Sequence, residues 1–119
     1  MEKKLAKFKV RGTSFEGRQG ILEQILEGKN VARCLAVLVP EPDNPHDKNA
    51  IKVCALSREN ELQHIGYVPK EICEEFLSAI KAKILAKRHR VSIFRSQEKK
   101  GEFLWADIEV LRKEKNDKN

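Results

Sequence analysis

The 119-residue chain predicts a mostly β fold with two helices, in the order β-α-β-β-β-α-β-β, closed into one small antiparallel barrel or curled sheet. Three observations carry this. Most periodic segments are short, β-rich and bounded by turn residues, whereas only two follow the helical period. The strands are joined by short polar turns, the mark of antiparallel neighbours. None is long and continuously apolar, as strands of a doubly wound parallel sheet must be. A chain of this length fits one domain with one core.

The elements follow in order. "KFKVRGT" (residues 7–13) alternates Phe8, Val10 and Gly12 against Lys7, Lys9 and Arg11, a strand with a basic outer face. In "GRQGILEQILEGKN" the period changes: Ile21, Leu22, Ile25 and Leu26 mark a short helix over about residues 18–27, with Gly28 as its left-handed stop. "VARCLAVLVP" is a strand ended by Pro40. After the loop "EPDNPHDKN", the segment "AIKVCAL" is the next strand, and "RENE" turns it into "LQHIGYV" as a hairpin.

Pro69 suits a first helical position. The helix behind it, "KEICEEFLSAIKAKILAKR", carries Ile72, Cys73, Phe76, Leu77, Ile80, Ile84 and Leu85 as one apolar stripe, with glutamates early and lysines late to complement its dipole. "RVSIFRS" and "EFLWADIEVLR" are the last two strands, joined by the turn "EKKG". Residues 113–119 form a polar, frayed tail to a core of about 7–112.

With 40% hydrophobic and 35% charged residues the composition is globular rather than disordered. No apolar run approaches the roughly 18 residues that span a membrane. "MEKKLAKFKV" lacks an apolar signal core, so secretion is not expected. Cys34, Cys54 and Cys73 are odd in number, lack paired spacing and sit in apolar patterns. Buried free thiols in a reducing, cytoplasmic setting are expected.

Neither a nucleotide loop, a nucleophile elbow nor a zinc-protease motif is present. A triad of Cys54, His64 and an acid can be drawn only on paper. Asp43, Asn44, His46 and Asp47 could offer metal ligands from one loop, but their spacing departs from the EF-hand. No cofactor and no enzymatic activity are expected. A metal-dependent nuclease or hydrolase using Asp43, His46 and Asp47 is the alternative, and a protein-interaction adaptor a further one.

The net charge of +6 favours a polyanionic partner. Lys81, Lys83, Lys87, Arg88 and Arg90 form a run without acids, readable as a solvated face or as phosphate contacts. Phe8, Phe76, Trp105 and Phe94 occupy core-like positions. Phe15, Tyr67 and Phe103 lie at element ends, where exposed rings could stack on bases.

"VRGTSFEG", "PEPDNPHDKNAIKV" and "IGYVPKE" with its following helix together resemble the HIRAN domain, in order and spacing, over about residues 7–112. Such domains front Snf-type helicase-like DNA translocases or stand alone in bacteria, and this chain, without motor motifs, is similar to the free-standing kind. The resemblance implies an OB-like or SH3-like β-barrel with two helices, in agreement with the pattern. It also implies a non-catalytic module that binds the 3′ end of single-stranded DNA, in DNA repair, replication or processing. By that resemblance Asp47 accepts a hydrogen bond from the 3′-hydroxyl and Asn44 contacts the terminal nucleotide. Phe15 takes the place of a stacking tyrosine, Phe103 matches a ring on the late hairpin, and Lys70 meets a phosphate at a helix start. His46 stands where relatives carry a stacking tyrosine, Tyr67 where they carry histidine, and Ser14 where they carry arginine. The expected partner is therefore single-stranded DNA, with another nucleic acid or a DNA-processing protein as further possibilities.

Overall fold

In the computed structural model, which describes residues 3–15, 17–98 and 101–113, six strands make one sheet. They are β1 (Lys3–Lys9), β2 (Val31–Pro40), β3 (Ile51–Leu56), β4 (Leu62–Tyr67), β5 (His89–Glu98) and β6 (Gly101–Arg112). Their spatial order is β1-β6-β5-β2-β3-β4, with every neighbouring pair antiparallel. Helix α1 (Arg18–Leu26) follows β1, and α2 (Cys73–Lys81), entered through a 3-10 turn at Lys70–Ile72, follows β4. The predicted element order is the observed one.

Alternation along the strands decides what is inside. On β6, Leu104, Ala106, Ile108 and Val110 are buried, while Phe103, Trp105, Asp107 and Glu109 between them face the other way and are half-exposed. Val91 and Ile93 on β5 and Ile51, Val53 and Ala55 on β3 join the same core. The two helices complete it, α1 with Leu22 and Leu26, α2 with Cys73 and Phe76. Phe76 packs at 5.6 Å, ring to ring, on Phe8.

The sheet is not closed by a continuous ladder, yet its two edges meet at one point. Beyond Lys9 the chain leaves β6: the Val10 N–H still donates to Ala106 O (2.9 Å), but Arg11 exchanges two hydrogen bonds with Tyr67 at the end of β4 (2.9 and 2.8 Å). Gly66 permits this approach. A Cβ there would lie 2.6 Å from Val10 Cγ1 and closer still to the Arg11 carbonyl oxygen.

A second tie comes from Arg95 on β5, whose side chain is only 10% exposed. Its guanidinium grips both carboxylate oxygens of Glu23 on α1 (2.7 and 2.6 Å), Glu102 on β6 (2.7 Å) and the Lys29 carbonyl. Such bidentate, charge-assisted bonds are geometrically specific. They lower the Glu23 carboxyl pKa and raise that of the guanidinium.

Several expectations are corrected. β1 begins at Lys3 and ends at Lys9 rather than covering residues 7–13, because Val10 and Arg11 cross to the opposite edge. The second helix stops at Lys81 instead of reaching Arg88. Lys83 takes a left-handed φ of 56°, and residues 84–86 then run beside the end of β6, with Ala86 N–H on Leu111 O (2.9 Å) and Lys113 N–H on Ile84 O (2.8 Å). Backbone pairing across the fold outweighs helix propensity there. The basic run is thereby spread over a helix end, a connection and β5, where Arg90 pairs with Glu109 (3.7 Å). Trp105 and Phe94 are not core residues. The register that buries Leu104, Ala106 and Ile93 turns both rings outward. The "EKKG" turn falls partly, and residues 114–119 wholly, outside the described residues.

All three cysteines are free, with Cys54 and Cys73 buried and Cys34 half-buried. Burial raises each thiol, Cys34 to about 11, which disfavours the nucleophilic thiolate. No helix among the described residues is long and apolar enough to cross a membrane.

Two outcomes test this account. Gly66→Ala should cost about 1–3 kcal/mol or more of stability, because the clash is with backbone that cannot rotate away; urea unfolding measures it. The second concerns His89, buried at 2% exposure, whose Nδ1 accepts the Leu111 N–H at 3.0 Å. Burial pushes its pKa down to about 4, against about 6.5 in an unfolded chain. Between those values the unfolded state binds more protons, so stability is full above pH ~6.5 and falls as the pH drops toward 4. His64, also lowered by burial, acts in the same direction. His89→Gln should flatten much of this slope in urea midpoints measured across the window.

Candidate nucleic-acid interface

Two loops converge on the point where the sheet edges meet. The first is the turn between β1 and α1. Gly12 and Gly17 hold left-handed φ values of 75° and 86°, and the Arg18 N–H bonds back to Phe15 O (3.0 Å). Phe15 is left 65% exposed. Arg18, in the first turn of α1, donates to the Gly12 carbonyl at 2.7 Å and spreads its guanidinium over two rings, 5.0 Å from Phe15 and 5.2 Å from Tyr67. Gln19 fastens this turn to the sheet: its amide nitrogen donates to both Thr13 O and Leu104 O, and its oxygen accepts the Leu104 N–H. Phe103, half-buried on the outward face of β6, is therefore next to the residue that anchors the turn. Ser14 is exposed at the tip.

The second loop spans residues 41–50. It is closed by Glu41 N–H on Ala50 O (2.8 Å) and by Ala50 N–H on Asp47 O (3.1 Å). Asn44 organises its interior: its side-chain oxygen accepts the N–H groups of His46 (2.8 Å) and Asp47 (3.0 Å), and its amide donates to Glu41 Oε1 at 2.6 Å. Glu41 Oε1 also accepts the Tyr67 hydroxyl (2.9 Å), and Lys52 Nζ stands 3.7 Å from Oε2. The Asn44 bond, with those of Tyr67 and Lys52, holds the Glu41 carboxyl below its usual range, while burial and this carboxylate raise the Tyr67 phenol. His64 meets Tyr67 edge-on at 4.9 Å and lends its Nε2 to the Gly66 carbonyl.

Asp47 fixes one carboxylate oxygen on the Asn49 N–H (2.9 Å), and its Oδ2 has no partner among the described residues. After burial, the Asp47 charge is the largest influence raising the Cys73 thiol of α2, and Lys70 is exposed in the 3-10 turn before that helix. His46, next to Asp47 in the chain, has an exposed ring.

The fold thus joins Phe15 to Tyr67 through Arg18, Tyr67 to Asn44 through Glu41, and Asn44 to Asp47 through the Asp47 N–H, while Lys70 is exposed at the entry to the second helix and has no bond to this set among the described residues. Phe103 lies farther along the sheet and makes no ring pair with Phe15 or Tyr67 among the described residues. Sequence reasoning had missed Arg18, Glu41 and Gln19. In the sequence Arg18 marks only a helix start, and Glu41 only the flank of a Pro-rich loop. The spacing Glu41-Asn44 within that loop was the available signal. Among the described residues no group of three or more His, Cys, Asp or Glu comes together to hold a metal ion.

Glu41→Ala should leave the Tyr67 hydroxyl and the Asn44 amide without their acceptor, at a cost of about 1–3 kcal/mol. Amide hydrogen exchange at His46 and Asp47 should accelerate more than elsewhere in the sheet.

Comparison with known proteins adds one match. A family model described as HIRAN domain matches residues 6–109. A search of curated proteins and a search of solved structures each find nothing that matches.

Proposed function

Because the chain belongs to the HIRAN domain family, a nucleic-acid-binding family, we propose that it is a non-catalytic module that grips the 3′ end of single-stranded DNA in repair, replication or processing. The observation that carries this reading is the convergence of two rings, a guanidinium and a half-satisfied carboxylate around the meeting point of the sheet edges. Phe15 offers an exposed face for a base, and stacking contributes roughly 1–3 kcal/mol per base. Arg18 adds a cation next to both rings, in the turn where Ser14 brings none. Asp47 Oδ2 accepts from a terminal 3′-hydroxyl and repels a phosphate in its place, which selects an end over a continuing chain. In this reading Lys70, exposed at the N-terminal entry to the second helix, meets the next phosphate.

The departures at His46 and Tyr67 fit this arrangement. Tyr67 uses its hydroxyl to hold Glu41 and its ring to flank Arg18, while His46 offers a smaller ring for stacking. The nuclease reading has no such support, since Asp43, His46 and Asp47 do not come together as a metal-holding group among the described residues.

Fluorescence titration with short oligonucleotides tests the proposal. A strand ending in 3′-hydroxyl should bind tighter than the same strand ending in 3′-phosphate, and Asp47→Ala should erase the difference. Lys70→Ala should weaken both and lower the salt slope by about 0.7, the value for one phosphate contact on a single strand. Equal affinity of the unaltered protein for both termini would overturn end recognition.

A further inference from the structure

The outward face of the sheet holds an aromatic platform that the end pocket does not use. Trp105 on β6 and Phe94 on β5 are cross-strand partners, stacked with centroids 4.5 Å apart and planes at 25°. The indole N–H donates to Ser96 Oγ at 2.7 Å, which fixes the ring's orientation, and Lys9 Nζ lies 5.1 Å from the ring centre. Beside the pair runs an open groove of ≈ 540 Å³ lined by Lys7, Arg33 and Arg90 among others.

Charge identifies the occupant. Of the four cations, Lys7 is matched by Asp107 (3.9 Å) and Arg90 by Glu109 (3.7 Å). Lys9 and Arg33 have no carboxylate partner among the described residues, which leaves this face net positive. A polyanion with planar groups satisfies both the surplus charge and the aromatic surface. Phe103 lies on the same face of β6, two residues before Trp105, and its neighbour Leu104 is the backbone point to which Gln19 ties the Phe15 turn.

We propose that this face is a second contact surface for single-stranded nucleic acid, in which the Trp105–Phe94 pair stacks a base several nucleotides from the gripped end while Lys9 and Arg33 hold the flanking phosphates. A base entering over the indole exchanges the Lys9 ammonium's contact with the ring for one with the adjacent phosphate. This rests on the family's nucleic-acid binding, and extends the end-binding reading without requiring 3′ selectivity.

Trp105 is the sole tryptophan, so its fluorescence reports on this surface directly. The full chain is titrated with a trinucleotide and with a 12-nucleotide strand, each ending in 3′-hydroxyl or 3′-phosphate, with anisotropy of an oligonucleotide label followed in parallel. The 12-mer should quench Trp105 and the trinucleotide should not. Trp105→Ala should weaken the 12-mer by about 5- to 100-fold while leaving the trinucleotide unchanged. Lys9→Gln and Arg33→Gln, at exposed positions that do not threaten folding, should each lower the 12-mer salt slope by about 0.7. Equal quenching by both termini would sustain the outer face and sink end selectivity. Anisotropy change without quenching, or 12-mer binding indifferent to Lys9→Gln and Arg33→Gln, would overturn the outer face alone. No binding of any strand would overturn both, and a concentration-dependent dimer lost in Trp105→Ala without quenching would overturn the outer face alone.

Discussion

The close approach of Gly66 to Val10 and Arg11 is the contact on which the candidate site depends. A six-stranded antiparallel sheet with open edges could remain a twisted blade. Here the absence of one Cβ lets the chain after β1 lie against the end of β4 and exchange two hydrogen bonds with Tyr67. That contact curls the sheet around a core of Val, Ile, Leu and Ala side chains. It also swings the 12–17 turn, with Phe15, over the tyrosine that closes β4. Arg95 adds to the same result from the other side, because its grip on Glu23 and Glu102 holds α1 against the β5–β6 hairpin. Arg18, one helical turn upstream of Leu22, is thereby aimed at both rings.

The 41–50 loop has a comparable internal economy. Its two prolines limit the backbone, but its shape is set by Asn44, whose side chain answers two N–H groups and one carboxylate. Glu41 then couples loop to sheet through Tyr67. A partly enclosed carboxylate needs such partners, and the phenol, the amide and Lys52 supply them. In the end-binding reading this leaves Asp47 as the carboxylate with an unused acceptor and Asn44 as the residue that holds it in place. Rigidity of this kind reduces the ordering cost of binding.

The outward face follows from the same register. Once Leu104, Ala106 and Ile108 are committed to the core, the residues between them must face solvent. An aromatic pair and a set of cations there are a consequence of period-two geometry and a surface with its own capacity for binding.

Much was legible in the chain itself. Strand and helix order, the hairpin at residues 57–61, the bounds of β2, the free cysteines and the family were all readable, since each depends on local periodicity, turn chemistry or a contiguous motif. The loop residues Asn44, His46 and Asp47 stood out for the same reason. Tertiary structure decided the rest. It ended the second helix at Lys81, because residues 84–86 gain backbone partners on β6 that no local pattern announces. It turned Trp105 and Phe94 outward, because which of two alternating faces is buried depends on register with strands far away in sequence. It placed Arg18 between Phe15 and Tyr67, and Glu41 beneath Tyr67, because those meetings require the curl that Gly66 allows. Local sequence specifies which elements form; the non-local approach of their edges specifies which side chains share a site.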